Sequence, residues 1–308
     1  MGVLGLIFIT LPCFVFVSGQ VSYSIPEEMP VGSFVGDIAQ DLGFDVKRLK
    51  SGKARIYTGD GAEYIVLDKE KGVLLIKNRV DREAIYRLSL VLTAVDGGEP
   101  QLSGSVQIHV NVLDSNDNAP VFTQKVYKSS IREDSPTGTV VIKVSAMDAD
   151  EGSNAKISYE ILNSVDDASE IFKINRETGE IRLAGSTDYE RKRQYQLHVQ
   201  AGDTGGLIDS CKVTIEIIDT NDNTPAINIM SKSTVVTEDV QPGTVVTIIN
   251  TLDSDSAENG KVQCTIQRDI PFSISTTSNN FFSIVTDSQL DRETESAYNI
   301  TVTCSDEG

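Results

Sequence analysis

The residues best suited to chemistry in this chain are carboxylates and amides, and they recur in a fixed order. Asp114-Ser115-Asn116-Asp117-Asn118-Ala119-Pro120 returns 105 positions on as Asp219-Thr220-Asn221-Asp222-Asn223-Thr224-Pro225. Glu133-Asp134 with Gly138 returns as Glu238-Asp239 with Gly243, and Glu27-Glu28 with Gly32 is an earlier version. Asp81-Arg82-Glu83 matches Asp188-Tyr189-Glu190 and Asp291-Arg292-Glu293. Asp148-Ala149-Asp150 with Asn154 matches Asp253-Ser254-Asp255 with Asn259, and Asp203 matches Asp306. A hard divalent cation such as Ca²⁺ takes six to eight oxygens from carboxylates, amides and backbone carbonyls. One linker supplies too few, so residues before and after it must contribute. Taken singly the pieces are weak: Asn-Asp-Asn is more often an Asx-turn. An EF-hand is excluded by spacing, since counting from Asp148 puts Gly152 where an acid is needed and Tyr159 at the twelfth place. The specific signal is the joint recurrence in order.

The elements that must position these acids read as β-strands. Leu88–Ala94, Ser105–Val112, Thr139–Val144, Lys212–Ile217 and Asn299–Thr303 alternate apolar and polar residues between Gly, Asp and Asn turns. About seven short strands in roughly 100 residues is the profile of an Ig-like sandwich. The chain has no Trp, and its cysteines lack immunoglobulin spacing. A repeat near 105 residues is far longer than a solenoid unit and means tandem domains. A short helical turn is expected within 41–50.

Length and composition set the remaining bounds. Two or three modules fit 308 residues. A formal charge of −18, from 45 acidic and 27 basic residues, argues against nucleic acid or an anionic membrane as partner. Residues 1–19 read as a signal peptide, with an uncharged apolar core from Val3 to Val17. No later segment is apolar enough to span a bilayer. Cys211 is expected as a buried free thiol, while Cys264 and Cys304 either pair or both stay free. Asn299-Ile300-Thr301 is an N-glycosylation sequon. His109 and His198 lie in strand patterns, and no nucleophile–base pair, phosphate loop or zinc spacing stands out, so an enzyme is not expected.

In their order, these acidic signatures resemble the cadherin family, and the resemblance covers residues 20–308. It implies an all-β chain of tandem seven-stranded Greek-key sandwiches over 20–119, 120–224 and 225–308, the last truncated. It also implies about three Ca²⁺ per inter-repeat junction. Carried over, the first junction would use Glu27, Asp81 and Glu83; Asp114, Asn116, Asp117, Asn118 and a Ser115 backbone oxygen; and Asp148, Asp150, Asn154 and Asp203. The second would use Glu133, Asp188 and Glu190; Asp219, Asn221, Asp222, Asn223 and a Thr220 backbone oxygen; and Asp253, Asp255, Asn259 and Asp306. Eight carboxylates meet at the first junction, and two such charges about 4 Å apart repel by roughly 4 kcal/mol at an effective dielectric of about 20. Metal-free junctions should therefore be loose and loaded ones rigid. The resemblance implies calcium-dependent adhesion at the extracellular face of the plasma membrane, the partner being another copy on an apposed cell. A secreted, calcium-binding structural or decoy ectodomain without self-adhesion is the alternative.

The opening Val21–Glu28 with Gly32-Ser33-Phe34-Val35-Gly36 looks like the start of a clustered-type protocadherin, and Lys261–Cys264 resembles the fourth repeat of that group. The first module departs from the pattern. Asp81-Arg82-Glu83 runs into Ala84-Ile85-Tyr86 where the group carries a short Cys loop, and Ala94-Val95-Asp96-Gly97-Gly98 looks like the rear of a second repeat. The expectation is a hybrid module joining the front of repeat one to the rear of repeat two.

Overall fold

The computed structural model describes residues 20–43, 45–47, 54–58, 61, 63–95, 103–162, 168–230 and 235–308. The expected signal peptide and Asp96 lie outside them. The chain divides into two compact units. The first holds the first sandwich together with the loops Asp148–Lys156 and Asp203–Leu207; the second holds the rest.

In the first unit, Gln20–Pro26 pairs in parallel with Ser103–Leu113, which continues antiparallel to Arg87–Val95 and then Ala54–Thr58. The facing sheet orders Phe34–Asp37, Val73–Ile76 and Ile65–Asp68. Period-two alternation sends Leu88, Leu90, Leu92, Ile108, Val110 and Val112 inward against Leu74, Ile76 and Ile38. Each such side chain stabilises the sandwich by about 1.5–3 kcal/mol when fully buried. A short helix, Ile38–Asp41, is capped by Asp37, which accepts the Gln40 N–H at 2.9 Å. Ile38 and Ala39 are buried and draw the helix onto the sheet; Val46 and Lys47 are helical within the expected 41–50 turn, while residues 44 and 48–50 are outside the described set.

The second unit repeats this topology. Val126–Arg132 pairs in parallel with Ile208–Ile218, followed by Gln194–Gly202 and Ser158–Ile161. Val140–Lys143, Glu180–Leu183 and Phe172–Ile174 form the facing sheet. Phe172, Leu197, Val199, Val213 and Ile215 fill its core. Cys211 is a buried free thiol, as expected, and burial pushes its pKa up to about 11. Farther along the chain, Ala226–Ile229, Val245–Leu252, Phe281–Thr286 and Phe272–Ser278 make one sheet, and Val262–Ile266 pairs with Val302–Asp306. Cys264 faces Cys304 in that pair, and the two form a disulfide. The open question about these cysteines resolves as pairing.

The last strand is Val302–Asp306, not Asn299–Thr303. Gln267 explains the shift. Its side-chain amide donates to the Asn299 carbonyl at 2.6 Å and accepts from the Thr301 N–H at 2.7 Å, occupying backbone groups a ladder would use. The turns before the second strand of each sandwich share one device. Gly32, Gly138 and Gly243 sit at φ +86°, +92° and +91°, a conformation that strains any residue with a Cβ.

Candidate metal centre

Strand ends and turns bring the acids together. In the first unit Glu27 ends the first strand and is buried, with only 3% of its surface exposed. Its Oε1 accepts the Ser115 N–H at 2.7 Å and its Oε2 the Arg82 N–H at 2.8 Å. One carboxylate thus ties the first strand, the Asp81-Arg82-Glu83 turn and the linker. Asp114 accepts the Glu151 N–H at 3.1 Å and the Asn154 amide at 2.9 Å. Asn116 donates to Asp203 at 2.9 Å. Asn118 donates to Asp150 from its backbone at 3.2 Å and its side chain at 2.9 Å. The Ser115 carbonyl accepts the Asp117 N–H at 2.8 Å.

The second unit holds the same constellation. Glu133 accepts the Thr220 N–H at 2.7 Å and the Tyr189 N–H at 2.6 Å. Asp219 accepts the Ser256 N–H at 3.1 Å and the Asn259 amide at 2.8 Å. Asn221 donates to Asp306, and Asn223 donates to Asp255 at 2.6 Å from its side chain. Glu238 accepts the Arg292 N–H at 2.8 Å, so the first step of the pattern recurs in the last sandwich.

Carboxylate oxygens converge in five groups, each with its members within 4.8 Å. These are Glu27–Asp81–Glu83, Glu83–Asp117–Asp150 and Asp148–Asp150–Asp203 in the first unit, and Glu133–Glu190–Asp219 and Glu190–Asp222–Asp255 in the second. Asp114, Asp188, Asp253 and Asp306 stand outside these groups. Asp188 accepts the Arg191 N–H at 2.8 Å, and Asp253 accepts the Asp255 N–H at 3.0 Å.

The donor set fits a hard cation. Asn116 Oδ1, Asp148 Oδ2, Asp150 Oδ2, Asp219 Oδ1 and Asp253 Oδ2 are buried without a hydrogen-bond partner, an arrangement that costs about 1–3 kcal/mol per neutral group and more for a charge. Burial, with neighbouring negative charge, holds several carboxyls above their ordinary range. For Asp117 the neighbours are Glu27 and Asp150, for Asp148 they are Asp150 and Asp203, and for Glu190 they are Glu133 and Asp222. Burial also raises Glu83, with Glu27 adding to it. Asp203 goes the other way: burial pushes it up, but the Asn116 amide and the Leu207 and Gly206 N–H groups outweigh that. No imidazole or thiolate lies in any of the five groups, so hard oxygen ligation is what these clusters offer.

Two contributors escaped sequence reasoning. A Cβ on Gly205 would lie 2.1 Å from Asn116 Nδ2, and one on Gly308 would lie 2.5 Å from Asn221 Nδ2. Each glycine lets the linker asparagine reach its aspartate. Asp203-Thr204-Gly205 and Asp306-Glu307-Gly308 carried the signal, a glycine two places after the late acid. The other contributor is the Arg82 side chain, whose guanidinium lies 3.3 Å from Asp114.

Tandem β-sandwiches joined by acid-lined linkers define a modular all-β protein whose carboxylate clusters suit a hard cation. The chain belongs to the cadherin family. The cadherin domain model matches residues 127–218 and 232–308, and a cadherin-like model matches 20–89. Human protocadherin gamma-B7 is 44% identical over 235 residues, which is 76% of this chain and 25% of that protein. Human protocadherin gamma-B5 is 32% identical over 399 residues, covering 94% of this chain and 43% of that protein. The chain thus spans less than half the length of these relatives. The solved structure of protocadherin gamma-B7 extracellular cadherin domains 1–4 superposes with a TM-score of 0.66 at 32% identity, covering 94% of this chain and 96% of that one. These relatives are adhesion ectodomains of a non-enzymatic family that in general binds calcium at inter-repeat junctions. Among the described residues no helix is long and apolar enough to cross a membrane.

The gamma-B5 alignment has a further property. Since 94% of 308 residues is about 290, roughly 110 of its 399 positions have no counterpart in this chain.

Proposed function

We propose that this chain is a calcium-dependent recognition ectodomain that binds a second copy of itself, its linkers fixed by metal at both junctions. The observation that carries the reading is the buried-glutamate tie. Glu27 and Glu133 each join a strand end, an Asp-x-Glu turn and a linker N–H, beside carboxylate oxygens that have no partner. Glu27, Asp81, Glu83, Asp114, Asn116, Asp117, Asn118, Asp148, Asp150, Asn154 and Asp203, with the Ser115 carbonyl, would hold about three ions at the first junction. Glu133, Asp188, Glu190, Asp219, Asn221, Asp222, Asn223, Asp253, Asp255, Asn259 and Asp306, with the Thr220 carbonyl, would do so at the second. Bound Ca²⁺ supplies positive charge and oxygen coordination. The residues themselves do the positioning: Asn116 and Asn221 hold the late aspartates, and Asn118 and Asn223 hold Asp150 and Asp255. Asn299 is exposed and would carry the glycan.

Beads coated with the full chain test this reading. Clumping in calcium and dispersal in chelator is the expected result. Dispersal in both conditions favours a calcium-binding ectodomain without self-adhesion.

We also propose that the first sandwich is a hybrid of two ancestral repeats. The total of roughly 110 gamma-B5 alignment positions without a counterpart, close to the repeat of 105, supports this. So does the position of Asp81-Arg82-Glu83, which follows Val73–Ile76 as Asp188-Tyr189-Glu190 follows Glu180–Leu183. A join at that turn keeps one copy of every strand, so the sheets still close. Alignment of genomic exons decides the matter: a single uninterrupted exon encoding Val80 to Ala84 counts against a splice origin.

A further inference from the structure

One difference between the two constellations is a built-in cation. In the first unit Arg82 turns its guanidinium inward, leaving only 14% of the side chain exposed. Nη1 lies 3.3 Å from Asp114 Oδ1, and the other terminal nitrogen pairs with Glu151. Asp114 is itself only 13% exposed. At the matching positions the second unit has Tyr189 for Arg82 and Ser256 for Glu151. Tyr189 is uncharged, and Arg193 stacks 4.8 Å over its ring instead of reaching the acids.

Asp219 registers the consequence. Its Oδ2 accepts the Ser256 N–H and the Asn259 amide, matching the contacts Asp114 makes with Glu151 and Asn154. Its Oδ1, the atom that in Asp114 receives Arg82, is buried with no partner. Asp219 accordingly lies with Glu133 and Glu190 in a three-carboxylate group, and Asp114 joins none. Arg82, together with the Glu151 N–H, occupies the oxygen that remains open in the second unit.

We infer that Arg82 acts as an internal counter-ion that makes the first junction the weaker calcium site, so that the two junctions load in order, second before first. This rests on the metal reading above and extends it. A guanidinium already neutralises part of the first cluster and occupies one ligand oxygen, so an incoming cation must displace it or do without that oxygen. The same contact keeps the metal-free first linker tied to the 148–156 loop. Over an intermediate range of calcium the second linker is fixed by metal and the first is held by Arg82 and the linker's hydrogen bonds.

Hydrogen exchange of the full chain across graded free calcium tests the order. Amides of the second linker, 219–225, are expected to gain protection at roughly tenfold lower calcium than those of 114–120, the factor one charge-assisted hydrogen bond is worth. Arg82→Tyr, which installs the second unit's residue type, should bring the two midpoints together and speed exchange of 114–120 in chelator. Glu151→Ser is a milder variant at an exposed site that releases Arg82's second anchor, and it should shift the first midpoint in the same direction. Equal midpoints in the parent chain, or midpoints indifferent to both variants, overturn the inference and leave the metal reading standing. No protection at either linker at any calcium level overturns both.

Discussion

Glu27 and Ser115 are separated by 88 residues in the chain and by 2.7 Å in the fold, the carboxylate accepting the linker N–H. Glu133 and Thr220 repeat the relation at 87 residues and 2.7 Å. A buried carboxylate is costly unless its oxygens are satisfied, and here backbone N–H groups from two segments satisfy both. This accounts for a glutamate recurring at the end of the first strand, far from the linker it serves.

Replacing that glutamate should therefore harm the fold even without metal. Glu27→Ala leaves the Ser115 and Arg82 N–H groups without their acceptor. A loss of about 1–3 kcal/mol per stranded group is expected, read by urea unfolding in chelator. Glu27→Gln keeps one acceptor oxygen and should lose less.

The pH dependence of the metal-free chain follows from Asp117. Burial, then Glu27 and Asp150, raises its carboxyl above the ordinary value of 3.8. A folded state that holds its proton more tightly than the unfolded chain loses stability as pH rises from 3.8 through the raised value. Asp117→Asn removes that loss. In chelator, Asn variant and parent should unfold alike near pH 3.8, with the variant the more stable at neutrality. Thermal unfolding across that range reads the divergence. Asp203, held low, contributes with the opposite sign in both proteins and cancels from the comparison.

Gly205→Ala places a methyl group 2.1 Å from Asn116 Nδ2 and should push that amide off Asp203. The expected result is a smaller calcium-induced rise in melting temperature, with the metal-free fold little changed. Gly104→Ala, whose Cβ meets nothing within 4 Å, is the control.

The Cys264–Cys304 bond closes a loop across a sequence separation of 40 and ties two strands in the sandwich with the smaller core cluster, built on Phe272, Ile284 and Leu290. On the chain-entropy account, removing the bond costs roughly 3–4 kcal/mol. Cys264→Ser with Cys304→Ser should lower the melting step of residues 225–308 and leave that of 120–224 in place, as resolved by calorimetry. Cys211 should stay unreactive toward thiol reagents in the native chain, since burial suppresses its thiolate.

The acids that converge and the sandwich class were legible because both leave a recurring pattern in the sequence. A period of 105 with five ordered acidic signatures singles out Glu27, Asp81, Asp148 and Asp203 without any coordinates. Alternation likewise marks Arg87–Val95 and Ile208–Ile218, whose inward residues are buried. What escaped depends on direction in space. Whether Cys264 faces Cys304 is a matter of register, which spacing alone leaves undetermined. The end of the Val302–Asp306 strand was hidden because a single side chain, Gln267, stands in for a partner strand. Arg82 lies between two acids in the sequence, and only the fold turns it toward Asp114.

Calorimetric titration of calcium into the chelator-treated full chain bears most directly on the central claim that acids distant in sequence converge to hold metal. Saturable uptake is predicted at roughly 10⁻⁴ to 10⁻³ M, with heat reduced by about half when Asp222→Asn and Glu190→Gln disable the second junction. The absence of saturable heat at millimolar calcium would contradict the account.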